Sequence, residues 1–243
     1  MTSVLDHYEK HLGPVYLWMI GDFDAALERG AAELDALGIA PRRNAVAVDL
    51  GAGPGLHSIP LARRGYAVTA IDSCAELLEE LKSRAEPAAV RTVRADLLAF
   101  REHVPGPIDA ALCMGDTLTH LPDLPSVRRL FDAVAAALAK DGVFAMSFRD
   151  YAGAPLEGDR RFILVRSDEL RVMTCFLDYA DTAVAVHDLL HDKHDGRWQL
   201  KVSSYPKLRL SPDWVMEDLS ARGLRVRREP ASAGMVRIAA TRT

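Results

Sequence analysis

Asp49 stands two residues before Gly51, and glycines recur at Gly53 and Gly55, so that the run VDLGAGPG over 48–55 carries an acid and three evenly spaced glycines. The stretch AVAVDL, 45–50, is a short continuous apolar run of the kind required by a parallel strand buried on both faces. A strand ending in such a turn lets the main chain pass close to a ligand that any Cβ would push away. The next apolar run, AVTAID at 67–72, ends on Asp72, followed by Ser73. A carboxylate at a strand end can accept two hydrogen bonds from a ribose diol. Two strand ends and one turn therefore make one cleft suited to a nucleoside.

The spacing also selects among nucleosides. A dinucleotide fingerprint, G-x-G-x-x-G, would place its third glycine at position 56, which is Leu56. No pyrophosphate is cradled, and Asp49 would repel one; its charge suits a cationic amino-acid tail, met directly or through backbone and water. These residues resemble motif I of the class I S-adenosylmethionine-dependent methyltransferases. The resemblance implies a doubly wound, mostly parallel seven-stranded α/β sheet and S-adenosylmethionine as cofactor, held by Asp49, Gly51, Ala52, Gly53, Gly55, Asp72 and Ser73. It also implies that Asp96 and Leu97 meet the adenine, as in the family's third motif, although Asp96 alone is as readily a helix cap. The segment CMGDTLTHL, 113–121, is similar to the fourth motif. There Met114, Gly115 and Asp116 would lie at the cofactor, with Thr117 and His120 facing the acceptor. It lacks the DPPY or NPPY of enzymes that methylate nucleic-acid amino groups, and no Pro-Cys pair supplies a nucleophile for pyrimidine carbons.

Elements that could position these residues alternate along the chain in doubly wound order. Strands are expected at 45–50, 67–72, 90–94, 108–113 and 143–148, with helices at 55–64, 75–85 and 123–139; Pro60 should kink the first helix, and Gly142 should end the last. Right-handed crossovers bring the strand C-termini to one sheet edge. From 162 to 210 the pattern changes to period two, predicting antiparallel strands at 162–166, 170–180, 182–192 and 197–210, with Asp195-Gly196 as a tight turn. A helix over 211–222 and strands near 224–229 and 235–241 would finish the core sheet. The expected division is an N-terminal helical cap (1–44), a cofactor core (45–150), an antiparallel insertion (151–210) and a closing helix and hairpin (211–243). An insertion in this place is the layout of glycine and amino-sugar N-methyltransferases among others; it could roof the cleft or form a homodimer contact.

Composition narrows the partners. With 243 residues, 49% of them hydrophobic, the chain can bury a full α/β core. A net charge of -4 without a basic stripe argues against nucleic acid. Cys74, Cys113 and Cys175 are odd in number and lack a C-x-x-C pair, as reduced thiols would be. No leader pattern and no long apolar run are visible, so a cytoplasmic protein with no membrane partner is expected. His187, His191 and His194 cannot converge from one strand, because the third falls on the opposite face. No metal is expected.

Before the core, FDAALERGAAELDAL at 23–37 has a helical apolar stripe, and Tyr8, His11, Tyr16, Trp18 and Met19 form an aromatic cluster ahead of it. That cluster is either ordinary core or a lid whose rings meet the sulfonium and the substrate. Candidate catalytic residues must lie at the sheet edge: His120, and Arg149, Asp150 and Tyr151 after the fifth strand. Arg149 could grip a carboxylate or phosphate, and the others could take or steer a proton. Each has a structural alternative, as a cap, an internal ion pair or core. The expected function is methyl transfer to nitrogen or oxygen of a small molecule such as an amino acid, amino sugar or secondary metabolite. The alternatives are an inactive cofactor-binding sensor or scaffold, and a methyltransferase acting on protein or RNA.

Overall fold

The computed structural model describes residues 2–85, 90–231 and 234–243. Helix α1 (Val4–His7) runs through a single π turn (Tyr8–Leu12) into α2 (Gly13–Ile20), and α3 (Phe23–Ala36) follows, capped by the Asp22 carboxylate accepting from the Ala25 N–H. The core then alternates β1 (Val46–Leu50), α4 (Ser58–Arg63), β2 (Ala67–Asp72), α5 (Ala75–Arg84), β3 (Val90–Arg94), α6 (Phe100–His103), β4 (Ile108–Cys113), α7 (Leu124–Ala137) and β5 (Leu138–Arg149). Four strands follow: β6 (Phe162–Ser167), β7 (Arg171–Tyr179), β8 (Ala183–His194) and β9 (Arg197–Leu208). Helix α8 (Pro212–Ser220), β10 (Leu224–Glu229) and β11 (Met235–Arg242) complete the chain.

The first sheet has the order β10-β11-β5-β4-β1-β2-β3, parallel throughout except for β11, which is antiparallel to both of its neighbours. Alternation along the buried strands gives each face its own core. Val48 and Leu50 of β1, with Phe144, Met146 and Phe148 of β5, pack against Val127, Leu130, Phe131 and Val134 of α7 and Val215 of α8. Ala47 of β1, Ala110 and Leu112 of β4 and Ala145 of β5 pack on the opposite face with Leu27 and Leu34 of α3 and Leu78 and Leu81 of α5. Small residues on that second face let the helices approach closely. At Gly30 of α3 a Cβ would stand only 2.1 Å from the Leu56 carbonyl oxygen, so the helix lies directly on the loop after β1.

A second sheet, order β6-β7-β8-β9, is antiparallel throughout. Its inner face receives the N-terminal helices: Leu12 and Val15 pack with Met173 and Leu190, while Val4 packs with Val184, Val186 and Tyr205. Phe162, Leu164, Trp198, Leu200 and Val202 of its edge strands remain exposed. Among the described residues no helix is long and apolar enough to cross a membrane.

Two expected boundaries differ. The first core helix starts at Ser58 and not at 55, which leaves Pro60 in its opening turn, between the Ile59 N–H bonded to Gly55 and the Leu61 N–H bonded to His57. Gly142 does not end a helix: α7 stops at Ala137 and β5 begins at Leu138. Asp141 there takes a φ of 65°, and the pairing register shifts between Ile108 and Ala110.

The approach to β1 depends on one acid. Asp109 of β4, 3% exposed, accepts from the backbone N–H groups of Asn44 (2.9 Å) and Ala45 (2.8 Å) and from the Asn44 side-chain amide (3.3 Å), and Ala45 itself holds a φ of 50°. Asp109→Ala would leave buried donors unpaired. It is expected to lower the unfolding free energy by about 2–4 kcal/mol, read as a fall in the urea midpoint at unchanged slope.

Candidate active site

The carboxyl ends of β1, β2, β3 and β4 open on one cavity of about 530 Å³. From β1 and its turn come Gly51, Ala52 and Gly53; from β2, Asp72 and Ser73; after β3, Asp96 and Leu97; after β4, Met114, Gly115, Thr117 and His120. Tyr8 and Tyr16 line it from the N-terminal helices.

Main chain shapes its floor. Gly51 has a φ of 75°, and a Cβ on it would lie 2.4 Å from Cγ2 of Thr117, so the main chain of the β1 turn packs directly on the Thr117 side chain of the β4 turn. Thr117 is fixed by donating its hydroxyl to the Met114 carbonyl at 2.8 Å. Across the turn, the Asp72 carboxylate accepts from the N–H groups of Gly53 and Cys74, each at 2.8 Å. Burial raises its pKa, and these two donors counter the rise. Asp96 caps the turn after β3 by accepting from the Leu98 N–H at 2.8 Å while its residue still lines the cavity. The two readings of that acid are compatible.

Six of the expected cofactor and acceptor residues, Asp116 among them, stand outside the lining. Asp49 is 2% exposed and accepts the Ser58 hydroxyl at 2.6 Å, so it faces α4 and not the cavity. Gly55 faces α5, where a Cβ would lie 2.2 Å from Cδ1 of Leu81. Trp18 and Met19 pack against the second sheet with Met173 and Leu190, and the Trp18 ring lies 5.8 Å from the guanidinium carbons of Arg166 and Arg171. His11 likewise is buried, with its ring 5.4 Å from that of His7. His11, Trp18 and Met19 thus lie outside the lining, to which the π turn and α2 bring Tyr8 and Tyr16.

Of the candidate catalytic residues, His120 alone reaches the cavity wall. Its Nε2 is 3.3 Å from the Tyr8 hydroxyl, its ring stacks on Tyr205 at 5.6 Å, and its buried Nδ1 has no hydrogen-bond partner. Burial, and after it the charge of Lys207, pulls the imidazole down to about 3. Tyr16 is pushed by burial up to about 12, and Tyr8 is raised as well, so both phenols are uncharged near neutrality. Arg149 is exposed and contributes its backbone N–H to Asp116 Oδ1 at 2.9 Å. Asp150 closes its own turn, accepting from Ala152 and Gly153, and Tyr151 is buried beneath the second sheet with its hydroxyl 3.4 Å from Asp116.

Asp116 turns away from the cofactor floor. Its carboxylate is paired with the ammonium group of Lys207, a β9 residue that no local pattern in the sequence marks. Burial alone would raise Asp116; the Lys207 charge and the Arg149 N–H outweigh it and hold the carboxyl below its ordinary range. His57, Leu56 and Leu98 also line the cavity and carry no motif signal. Among the described residues no three His, Cys, Asp or Glu side chains are placed to hold a metal ion. His187 instead lies 2.7 Å from the Ser204 hydroxyl.

Residues 47–142 match the family model of a methyltransferase domain. Over this stretch the chain is similar to methyltransferase domains. Over 108 residues the chain is 31% identical to a glycine/sarcosine N-methyltransferase of Halorhodospira halochloris, a stretch covering 44% of this chain and 40% of that relative's length. Its fold is similar to that of the CcbJ methyltransferase of Streptomyces caelestis (TM-score 0.77, 18% identity, 97% of both chains). It is also similar to S-adenosylmethionine-bound CalS10, an amino pentose methyltransferase of Micromonospora echinaspora (TM-score 0.75, 18% identity, 95% of this chain and 96% of that one).

The floor of the site can be tested through its glycines. Gly51→Ala combines a left-handed backbone with a collision against Thr117, whereas Gly53→Ala has the same kind of backbone and open space above it. The first is expected to lower stability by about 2–4 kcal/mol and the second by about 1–2 kcal/mol in urea unfolding.

Proposed function

We propose that this chain transfers the methyl group of S-adenosylmethionine to an amine nitrogen of a small molecule. The observation that carries the reading is one cavity lined by Asp72, main-chain glycines and the uncharged pair Tyr8 and His120. The residues fit the adenosyl group. The Asp72 carboxylate, fixed by two backbone donors, would accept the ribose hydroxyls with its remaining lone pairs. Leu97, Leu98 and Ile71 give the adenine an apolar slot, and Asp96 stands at its edge. Met114 and the glycine turns leave room for the thioether and the amino-acid tail, which meets main chain where Asp49 was expected.

When bound, the sulfonium supplies a methyl group that is already activated toward in-line displacement. The chain must align the nucleophile and exclude water, so positioning supplies most of the acceleration. Tyr8 and His120 offer uncharged hydrogen-bonding groups at the acceptor end, and Tyr8 and Tyr16 present ring faces that stabilise a cation without adding charge. The electrostatics favour nitrogen over oxygen. An alcohol needs a base to become nucleophilic, but the His120 imidazole is far too weak a base near neutrality, and Asp116 is occupied by Lys207. A neutral amine attacks without prior deprotonation. The glycine/sarcosine and amino pentose methyltransferases to which the chain is similar support the same acceptor chemistry. In this reading residues 1–44 form the lid, and the second sheet bounds the acceptor chamber behind it.

Incubation with S-adenosylmethionine and a pool of amino acids, amino sugars and other small amines, followed by mass spectrometry, should reveal an amine heavier by one methyl. Methylation confined to hydroxyl compounds would reject the nitrogen assignment. Asp72→Ala is expected to weaken binding of S-adenosylhomocysteine by about 10–100-fold in calorimetry, through the lost charged hydrogen bonds. His120→Ala and Tyr8→Phe should lower kcat for the amine by about 10–100-fold while changing cofactor affinity little.

A further inference from the structure

The second sheet reaches the cavity wall through Tyr205, which stacks on His120. Lys207 of β9 is 8% exposed and reaches the turn after β4, where Asp116, itself 5% exposed, holds a φ of 78°. Besides Lys207, the Asp116 carboxylate receives the Arg149 N–H at 2.9 Å and the Thr119 hydroxyl at 3.1 Å. The ammonium group also lies 5.8 Å from the centroid of Tyr151 and 5.7 Å from that of Tyr205. His120 stacks against the same Tyr205 ring. A fixed cation and the imidazole of the cavity wall are thus neighbours around one aromatic ring. Lys207 does not line the cavity; His120 does.

We propose that Lys207 is a positioning residue for methyl transfer: its ammonium group, pinned on Asp116, holds a positive charge behind the acceptor wall and so keeps a second cation from forming at His120, where it would face the sulfonium. This inference rests on the methyl-transfer reading above. The groups that act on His120 are the Tyr8 hydroxyl and His7 from the N-terminal helices, Asp116 from the β4 turn, Asp188 from β8, and Tyr205 and Lys207 from β9. Asp116 and Asp188 favour a protonated imidazole, while burial, Lys207 and His7 oppose it. Removing Lys207 deletes the strongest opposing charge and leaves Asp116 without its counter-ion. The proton that restores neutrality goes either to Asp116 itself, behind the wall, or to His120, on it; under the proposal it goes to His120. A charge moved from behind the wall onto it weakens a cationic ligand and spares an uncharged one of the same shape.

S-adenosylmethionine and S-adenosylhomocysteine form that pair of ligands. Calorimetric affinities for both should be compared between pH 6 and 8 in the wild-type protein, Lys207→Met and Asp116→Asn/Lys207→Met, with the His120 ring followed by NMR in each. Relative to wild type, Lys207→Met should lose about tenfold or more of its preference for the sulfonium as the pH falls from 8 to 6. His120 should titrate within that range. The double variant, which lacks the uncompensated acid, should regain the wild-type ratio and an untitrated ring. Equal weakening of both ligands at every pH, with His120 still neutral in Lys207→Met, would overturn the proposal and leave the proposed function standing. If the wild-type protein binds neither ligand, the reading of the site falls and this inference with it. Should Lys207→Met fail to fold, Lys207→Gln, which keeps a donor to Asp116, carries the same comparison: loss of the preference with a titrating His120 supports the proposal, and an unchanged ratio overturns it.

Discussion

The site depends on the adjacency of β1 and β4. The sheet runs outward from that pair in both directions, β2 and β3 on one side and β5 on the other, so the two crossovers leave on opposite faces and open a crevice between the strand ends. Closing the floor of that crevice requires the two following turns to come within van der Waals contact, which they do at Gly51 and Thr117. Every other feature of the cavity follows from this contact. Asp72 sits one strand away and can anchor the same glycine turn through the Gly53 N–H, while the β4 turn carries His120 round to the far wall.

Much of this was legible in the sequence because parallel strands buried on both faces read as continuous apolar runs. Strands 67–72, 90–94, 108–113 and 224–229 coincide with the expected ranges, and the period-two stretch resolves into the four antiparallel strands around the Asp195-Gly196 turn. Residues attached to strand ends were also legible: Asp72, Asp96, Met114 and His120 reach the cavity. Direction was harder to read than position. Asp49 and Gly55 lie beside the right turn, yet one faces Ser58 of α4 and the other Leu81 of α5, because the second face of the sheet has its own helices to satisfy. A spacing rule cannot see which of two faces a helix will occupy.

The aromatic cluster shows the same limit. Tyr16 and Trp18 are both large, amphipathic and close in sequence, but they stand two positions apart on α2, about 200° around the helix, so that Tyr16 lines the cavity while Trp18 meets Asp168 and Arg166 of the second sheet's edge. Lys207 was invisible for another reason. Its partner Asp116 is 91 residues away, and within β9 it reads only as one of several polar residues in an alternating strand. Long-range pairing of a buried charge leaves no local periodicity to detect.

The inner face of the second sheet explains why such charges persist there. Along β8, Val184, Val186 and Leu190 alternate with Asp188 and Asp192 on the same buried face. An apolar replacement would pack as well or better, since a buried ion pair seldom repays its desolvation. Each acid instead fixes a group from another element. Asp188 stands 3.1 Å from His7 of α1 and accepts the Cys175 thiol of β7 at 2.7 Å, and Asp192 pairs with Arg171 of β7 and Lys201 of β9. His7 in turn stacks on Tyr205 at 3.9 Å, and Tyr205 on His120. N-terminal helices, second sheet and cavity wall are therefore joined by directional contacts that tolerate little sliding, whereas an apolar seam would allow several registers. For a transfer that relies on alignment, a defined geometry at the acceptor wall is worth more than the stability an apolar seam would add.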